Sequence, residues 1–150
     1  MLTGSDPTGA PRVSLSPILE RADSFCRRFA LQAPILLAPM AGACPVPLSA
    51  ALATAGSMGA MGAVLSQPQD IVAWMDDFRA RSSGPAQVNV WIPDPLPARD
   101  EDGEAATRAF LSQWGPEVPA SAGDASPADI DAQFDALIQA RPAVASTIMG

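Results

Sequence analysis

The stretch PILLAPMAGACPVPLSAALATAGSMGAMGAVLSQPQDI, residues 34–71, decides how the rest of the chain is interpreted. It contains a short apolar run at 35–38 between two prolines, a small helix predicted over 48–54 and closed by Gly56, and a second apolar run of small residues at 58–65. Short, uninterrupted apolar runs are typical of strands that are covered on both faces, as in a parallel sheet. The stretch therefore predicts strand, helix and strand joined by a right-handed crossover.

Helix signals occur on both sides of this stretch. Ser16 followed by Pro17 predicts an N-cap and a first helical residue, and the helix they open reaches about residue 31. Ser66 and Pro68 predict the start of another helix that ends near residue 83. The segment QVNVWI at 87–92 then predicts a third buried strand.

The last third of the chain repeats the pattern after a loop rich in proline and aspartate. A helix is predicted over 104–114, and Ser126 with Pro127 predicts the start of the next one, to about residue 140. The side chains that this helix is predicted to turn inward are Ile130, Phe134, Leu137 and Ile138. An apolar run at 144–149 predicts a fourth strand.

Alternation of short apolar strands with helices indicates an α/β fold with a parallel sheet. The order is compatible with a small open sheet or with the N-terminal half of a TIM-type (β/α)8 barrel, with about four parallel strands preceded by an N-terminal helix. We expect a flexible leader at 1–16 and an incomplete barrel domain at 17–150. Gly56, Gly59 and Gly62 lack the spacing of a dinucleotide-binding turn, and we interpret them as sites of close helix–strand packing.

The composition excludes several classes of site. The chain has no histidine, so it cannot form a Ser-His-Asp triad or a histidine-ligated zinc site. Its net charge of −7 argues against nucleic acid as a partner. The two cysteines, Cys26 and Cys44, suggest reduced thiols in a cytoplasmic protein. The charge-free run 29–69 is interrupted by prolines and glycines, so we interpret it as buried strands around a helix and expect no membrane span.

Candidate site residues lie where the predicted strands end, because ligands bind at the C-terminal ends of barrel strands. Pro39, Met40 and Ala41 end the first run, and Gly42 permits a tight approach, so this backbone could face a ligand or simply form a turn. Asn89 is a lone amide in an apolar strand and could bond within the interior or to a planar ligand.

Trp91 and the acidic residues of the 94–131 region each have a purely structural interpretation as well. Trp91 could line a pocket or cap the core. The acidic residues of the 94–131 region lack metal-site spacing and are interpreted as solvated surface, so no metal is expected.

The same residues resemble the opening of the nitronate monooxygenases, formerly called 2-nitropropane dioxygenases. The resemblance is carried by the stretch at 34–71, by VNVWIP at 88–93 and, in part, by PAVASTIMG at 142–150. It implies a TIM-type barrel that binds FMN and oxidises alkyl nitronates with O2. It also implies that Pro39, Met40 and Ala41 pack against the flavin ring, that Asn89 hydrogen-bonds it, and that Trp91 lines the site.

The resemblance also implies what this chain lacks. The catalytic base and the phosphate-binding loops of the family are expected beyond residue 150, so no catalytic residue is assigned within the chain. We expect a truncated, inactive fragment that binds FMN poorly and self-associates through exposed strand edges. FMN-containing enoyl-acyl-carrier-protein reductases share the opening pattern, and a non-catalytic half-barrel interaction protein is a third alternative.

Overall fold

A computed structural model describes residues 16–95, 98–124 and 128–149 of the chain. The elements follow in chain order: α1 (Pro17–Phe29), α2 (Val46–Thr54), β1 (Gly59–Gly62), α3 (Pro68–Arg81), β2 (Ala86–Trp91), α4 (Glu101–Leu111), a 3-10 helix (Ala120–Asp124), α5 (Ile130–Ala140) and β3 (Val144–Ile148). The helices within these ranges are all too short or too polar to cross a membrane.

The three strands form a parallel sheet in the order β1-β2-β3. The predicted first strand at 35–38 is reduced to a single parallel bridge between Leu36 and Met58. There, the Leu37 amide donates to the Met58 carbonyl (2.9 Å) and the Met58 amide donates to the Ile35 carbonyl (3.1 Å). The fold is thus α/β with a parallel sheet, consistent with part of a barrel. Two predicted strands are shorter than expected: the first is this single bridge, and the second, predicted over 58–65, is Gly59–Gly62.

The ladder stops because the next donor would be Pro39, which has no N–H. Ser49 of α2 takes over at this position, since its hydroxyl donates to the Ala60 carbonyl (2.8 Å) and accepts from the Ala60 amide (3.4 Å). Ser49 is fully buried, so the exchange satisfies two backbone groups in the interior. The segment after Leu37 is therefore released from the edge of β1.

Helices α3 and α5 cover one face of β1 and β2. Phe78, Ile71 and Met75 of α3 are buried against it. The core contains Ala50, Ala53, Met61, Ala63, Ile71, Met75, Phe78, Ala86, Val88, Val90, Ala136, Leu137 and Ala140.

The predicted helix starts are confirmed in part. Ser16 caps α1, as expected, and Gly56 (φ +83°) follows α2 in the left-handed conformation that a helix end favours. Helix α3 is capped by Gln67 rather than Ser66, because Gln67 and Asp70 form a reciprocal capping box. The leader at 1–15 lies outside the described residues.

Helices α4 and α5 differ from the prediction in position. Helix α4 begins at Glu101, capped by Asp100, three residues earlier than expected. Asp129 caps α5 by accepting from the Ala132 amide (3.1 Å), and the predicted cap at 126–127 lies outside the described residues.

The inward face of α5 was predicted only in part. Ala136, Leu137 and Ala140 are buried, but Ile138 is 73% exposed. Ile138 is next to Leu137 in sequence and therefore about 100° away around the helix, outside the buried stripe.

A charged cluster joins α4 to the 3-10 helix. Arg99 donates to Glu104 (2.8 Å from Nε to Oε1) and also to Asp124. The hydrogen bond from Arg99 holds the pKa of the Glu104 carboxyl below its usual value, and the two carboxylates raise the pKa of Arg99. No residue of α4 is buried, so this cluster is the main described link between the two helices.

We expect Gly59→Ala to destabilise the fold. An added Cβ would lie 2.7 Å from the Ser49 carbonyl oxygen and 2.9 Å from the Phe78 ring, so α2 and α3 would have to move off the strand. Such overpacking costs about 1–3 kcal/mol in the free energy of unfolding, measured by urea denaturation. Gly115→Ala is the control, because a Cβ there has no described atom within 4 Å. Equal stability of the two variants would contradict this packing.

The Arg99 cluster should weaken in acid. Because the pKa of Glu104 is lower in the folded chain than its ordinary 4.5, the stability it contributes is present above that value and is lost as pH falls through the folded pKa. The protection factors of the α4 amides, which are corrected for the intrinsic pH dependence of exchange, should therefore fall below about pH 4.5 in the wild type. Glu104→Gln should show lower protection factors in α4 already at pH 6, and these should no longer fall with pH. Glu117→Gln is the control, and a Glu104→Gln profile that coincides with the wild type would contradict the role of the pair.

Candidate functional site

The sheet has one face that the described helices do not cover. Residues paired across parallel strands direct their side chains to the same face, and neighbours along a strand alternate. Met61, Val88 and Val90 belong to the helix-covered core, so the intervening residues lie on the opposite face. That set, called here the open face, consists of Ala60, Gly62, Gln87, Asn89, Trp91, Val144, Ser146 and Ile148.

Gln87 covers the open face near the N-terminal ends of the strands. Its side-chain amide crosses beside Ala60 and donates to the Leu37 carbonyl (2.8 Å), which the shortened ladder leaves available. Gln87 is only 8% exposed. Gln87 was not among the residues predicted from the sequence, although Gln87, Asn89 and Trp91 alternate in QVNVW and alternation is the signal of a common face.

Gly62 brings the segment Pro39–Met40–Ala41 onto the open face. A Cβ on Gly62 would lie 2.6 Å from the Ala41 nitrogen and 2.8 Å from the Met40 carbonyl carbon. The loop backbone thus occupies the space of the missing side chain. Close packing was predicted for this glycine, but its neighbour is a loop rather than a helix, whereas Gly59 does pack against helices.

The backbone of this segment is engaged within its own turn. The Met40 amide donates to the Cys44 sulfur (3.3 Å), and the Met40 carbonyl accepts from the Ala43 amide (3.1 Å). Both polar groups of the Met40 backbone are therefore used within the turn, which was the alternative to a backbone that faces a ligand. Gly42 is needed for its positive φ of 73° and not for a tight approach, since no described atom lies within 4 Å of its position for a Cβ. What the segment exposes is the Met40 side chain, 46% accessible.

Asn89 lies beside this segment. It pairs with Gly62 on one side and Ser146 on the other, so the three residues form one row across the sheet, with adjacent strands about 4.8 Å apart. The Asn89 amide nitrogen donates to the Ser146 hydroxyl (3.0 Å). Asn89 is half-buried, so its amide is held by one neighbour and remains accessible from the open face. Ser146 was not predicted as its partner.

Trp91 lies two residues beyond Asn89 on the same face and is 46% exposed. It also borders a cavity of about 470 Å³ at the ends of β1 and β2. Its partner in β3 is Ile148, which is 53% exposed. The structure therefore brings all five predicted residues to one end of the sheet, with Pro39, Met40, Ala41 and Asn89 meeting around Gly62 and Trp91 at the rim.

The acidic loop residues form no metal site in the part of the chain that the structure describes, where no group of three candidate ligands converges. Glu104 and Asp124 are paired with Arg99. Asp100 and Asp129 cap helices. The open face is the arrangement that could hold a planar organic ligand.

Comparison with solved structures places this arrangement in a known fold. A scan of protein-family models and a search of curated proteins give no match. The nitroalkane oxidase from Streptomyces ansochromogenes matches with a TM-score of 0.63 and 27% identity over 85% of this chain. The chain spans 36% of the length of that enzyme.

Two further matches share the fold. FabK from Thermotoga maritima matches with a TM-score of 0.57 and 20% identity over 85% of this chain, and a mutant of the same protein gives 0.57 and 19%. At this identity the likeness to FabK shows the fold alone. The resemblance seen in the sequence is confirmed by the first match: over most of its length the chain is similar to a member of the nitronate monooxygenase family.

Proposed function

We propose that the open face binds the isoalloxazine ring of FMN, and that the chain is part of a flavin-dependent oxidoreductase that oxidises alkyl nitronates with O2. The observation that carries the proposal is the meeting of the Met40 segment with Asn89 around Gly62 at the C-terminal ends of the strands. Ligands of α/β barrels bind at this end. The similarity to a nitroalkane oxidase supports the choice of substrate class.

The residues present fit a flavin ring. A flat tricycle needs an apolar surface without projecting side chains, together with a few polar groups at its edge. The Met40–Ala41 backbone lies over Gly62, where no side chain projects, the exposed Met40 supplies polarizable apolar surface, and Asn89 supplies an amide that can donate and accept. Pro39, Ala41 and Trp91 would border the ring.

The same set does not fit the phosphate. None of the five residues is cationic, and the Met40 amide is already used by Cys44. A phosphate prefers arginine, lysine or a row of backbone N–H groups. These residues would therefore hold the ring, and the phosphate would be held by other groups.

FMN, when bound, supplies the electron transfer that no side chain of this site could supply. The residues of the chain position the ring. Ser146 accepts from the Asn89 amide and so restrains the amide that would hydrogen-bond the ring. The Met40 side chain would cover the apolar face of the bound ring and exclude water from it. The chain has no histidine, so the proton acceptor of the reaction is not a histidine among these residues.

Lumiflavin, which is the ring without ribityl phosphate, should bind the 150-residue chain about as tightly as FMN, and both only weakly. Asn89→Ala should weaken both about threefold to tenfold, because it removes a hydrogen bond worth about 0.5–1.5 kcal/mol. Flavin fluorescence titration measures both affinities. Gln139→Ala, an exposed change on α5, is the control. Absence of saturable binding of either flavin to the wild type would overturn the proposal.

Ser146→Ala should lower lumiflavin affinity by a smaller factor, about twofold to fivefold, because Asn89 keeps its amide but loses its anchor. Ser146→Thr retains a hydroxyl and should stay close to the wild type. Thr147→Ala is the matched control, since Thr147 is exposed on the other face of the same strand. An Asn89 side-chain amide signal that is unchanged by Ser146→Ala in an NMR spectrum would show that the anchor is not formed.

A further inference from the structure

We propose that Cys44 is a positioning residue, whose thiol fixes the Pro39–Met40–Ala41 segment at the height at which it meets a ring on the open face. The inference rests on the proposed function for its consequence, but the contacts that carry it are independent of any ligand. Cys44 lies outside the candidate set, in the loop before α2.

The thiol connects two backbone groups on either side of Pro39. The Cys44 sulfur donates to the Ala38 carbonyl (3.1 Å) and accepts from the Met40 amide (3.3 Å). Neither group belongs to the ladder with Met58, which uses the Leu37 amide and the Ile35 carbonyl. Cys44 is buried, 7% exposed, so water does not compete effectively for these groups.

Cys44 is itself anchored to the helical layer. The Trp74 indole N–H donates to the Cys44 carbonyl (3.3 Å). Trp74 stacks on Phe78 with ring centroids 5.4 Å apart and planes 8° from parallel. Phe78 is in turn buried against β1. A continuous set of contacts therefore runs from α3 through Cys44 to Met40.

The position of the segment is set from two sides. Gly62 limits how closely the Met40–Ala41 backbone approaches the strand, and Cys44 limits how far it moves away. Loss of the thiol removes the second limit while the apolar core stays intact. The distance between the Met40 backbone and Gly62 would then vary, and a planar ring would no longer find one fixed surface to pack against.

The test compares Cys44→Ala, Cys44→Ser and Cys26→Ala in the full 150-residue chain. Cys44→Ala removes both hydrogen bonds, Cys44→Ser retains a group that donates and accepts, and Cys26 is a half-buried cysteine on α1. One readout is the hydrogen-exchange rate of the Met40 amide without flavin, with the Val88 amide in β2 as internal reference. The other is lumiflavin affinity.

We expect Cys44→Ala to accelerate Met40 exchange about tenfold, with Val88 unchanged, and to weaken lumiflavin about threefold to tenfold. Cys44→Ser should restore both, and Cys26→Ala should change neither. A merely structural role would accelerate Met40 and Val88 together. That result, or an unchanged Met40 rate, or faster exchange with unchanged lumiflavin affinity, would overturn the inference.

Two further outcomes are distinguishable. If the wild type binds no lumiflavin, the proposed function fails, and the Met40 rates alone decide whether Cys44 fixes the segment. If Cys44→Ala does not fold, Trp74→Phe provides the same test, because it deletes the indole donor to Cys44 and keeps an aromatic ring on Phe78. Met40 exchange should then accelerate relative to Val88, and equal rates would overturn the inference.

Discussion

Strand β1 lacks a side chain at the two positions where other parts of the chain approach it most closely. On the helix-covered side, Gly59 lets the Ser49 carbonyl and the Phe78 ring approach to distances that no Cβ would permit. On the open side, Gly62 does the same for the Met40–Ala41 backbone. Glycine in a strand weakens it, because there is no side chain to pack and more backbone entropy to lose. Here that cost allows the helical layer and the candidate site to be built against opposite faces of one four-residue strand.

Proline at residue 39 has a second effect on the same region. Its missing N–H ends the ladder after Leu37, and each group left behind finds a side-chain partner: Ser49 for Ala60, and Gln87 for the Leu37 carbonyl. Side chains thus replace strand pairing at the point where the chain must leave the sheet. The segment can therefore leave the sheet and cross above Gly62 while these backbone groups stay hydrogen-bonded. A buried group without a partner would cost about 1–3 kcal/mol.

The elements follow from local signals, whereas the contacts of the site do not. Apolar runs between prolines predict the strands, and Ser16 predicts the start of α1, because periodicity and capping act over a few residues. The first strand was predicted too long, because the apolar run does not show that the missing N–H of Pro39 ends the hydrogen-bonded ladder. Ser146 could not be assigned to Asn89 from the sequence, because their pairing depends on the register of strands 57 residues apart. Gln87 could have been found from its alternation with Asn89, but its partner Leu37 could not.

The charge distribution separates recognition of a ring from recognition of an anion. Arg79 donates to the Ala140 and Arg141 carbonyls at the C-terminal end of α5, which precedes β3 and therefore lies at the opposite end of the sheet from the candidate site. Arg99 is held by two carboxylates. Neither guanidinium is available to a phosphate or a nitronate at the open face, and the overall charge of −7 disfavours anions further. If the open face binds a flavin ring, as proposed, affinity there comes from apolar contact and from the uncharged amide of Asn89. Such contacts select a planar polar-edged ring and are little affected by salt, whereas a site built on phosphate contacts would weaken as ionic strength rises.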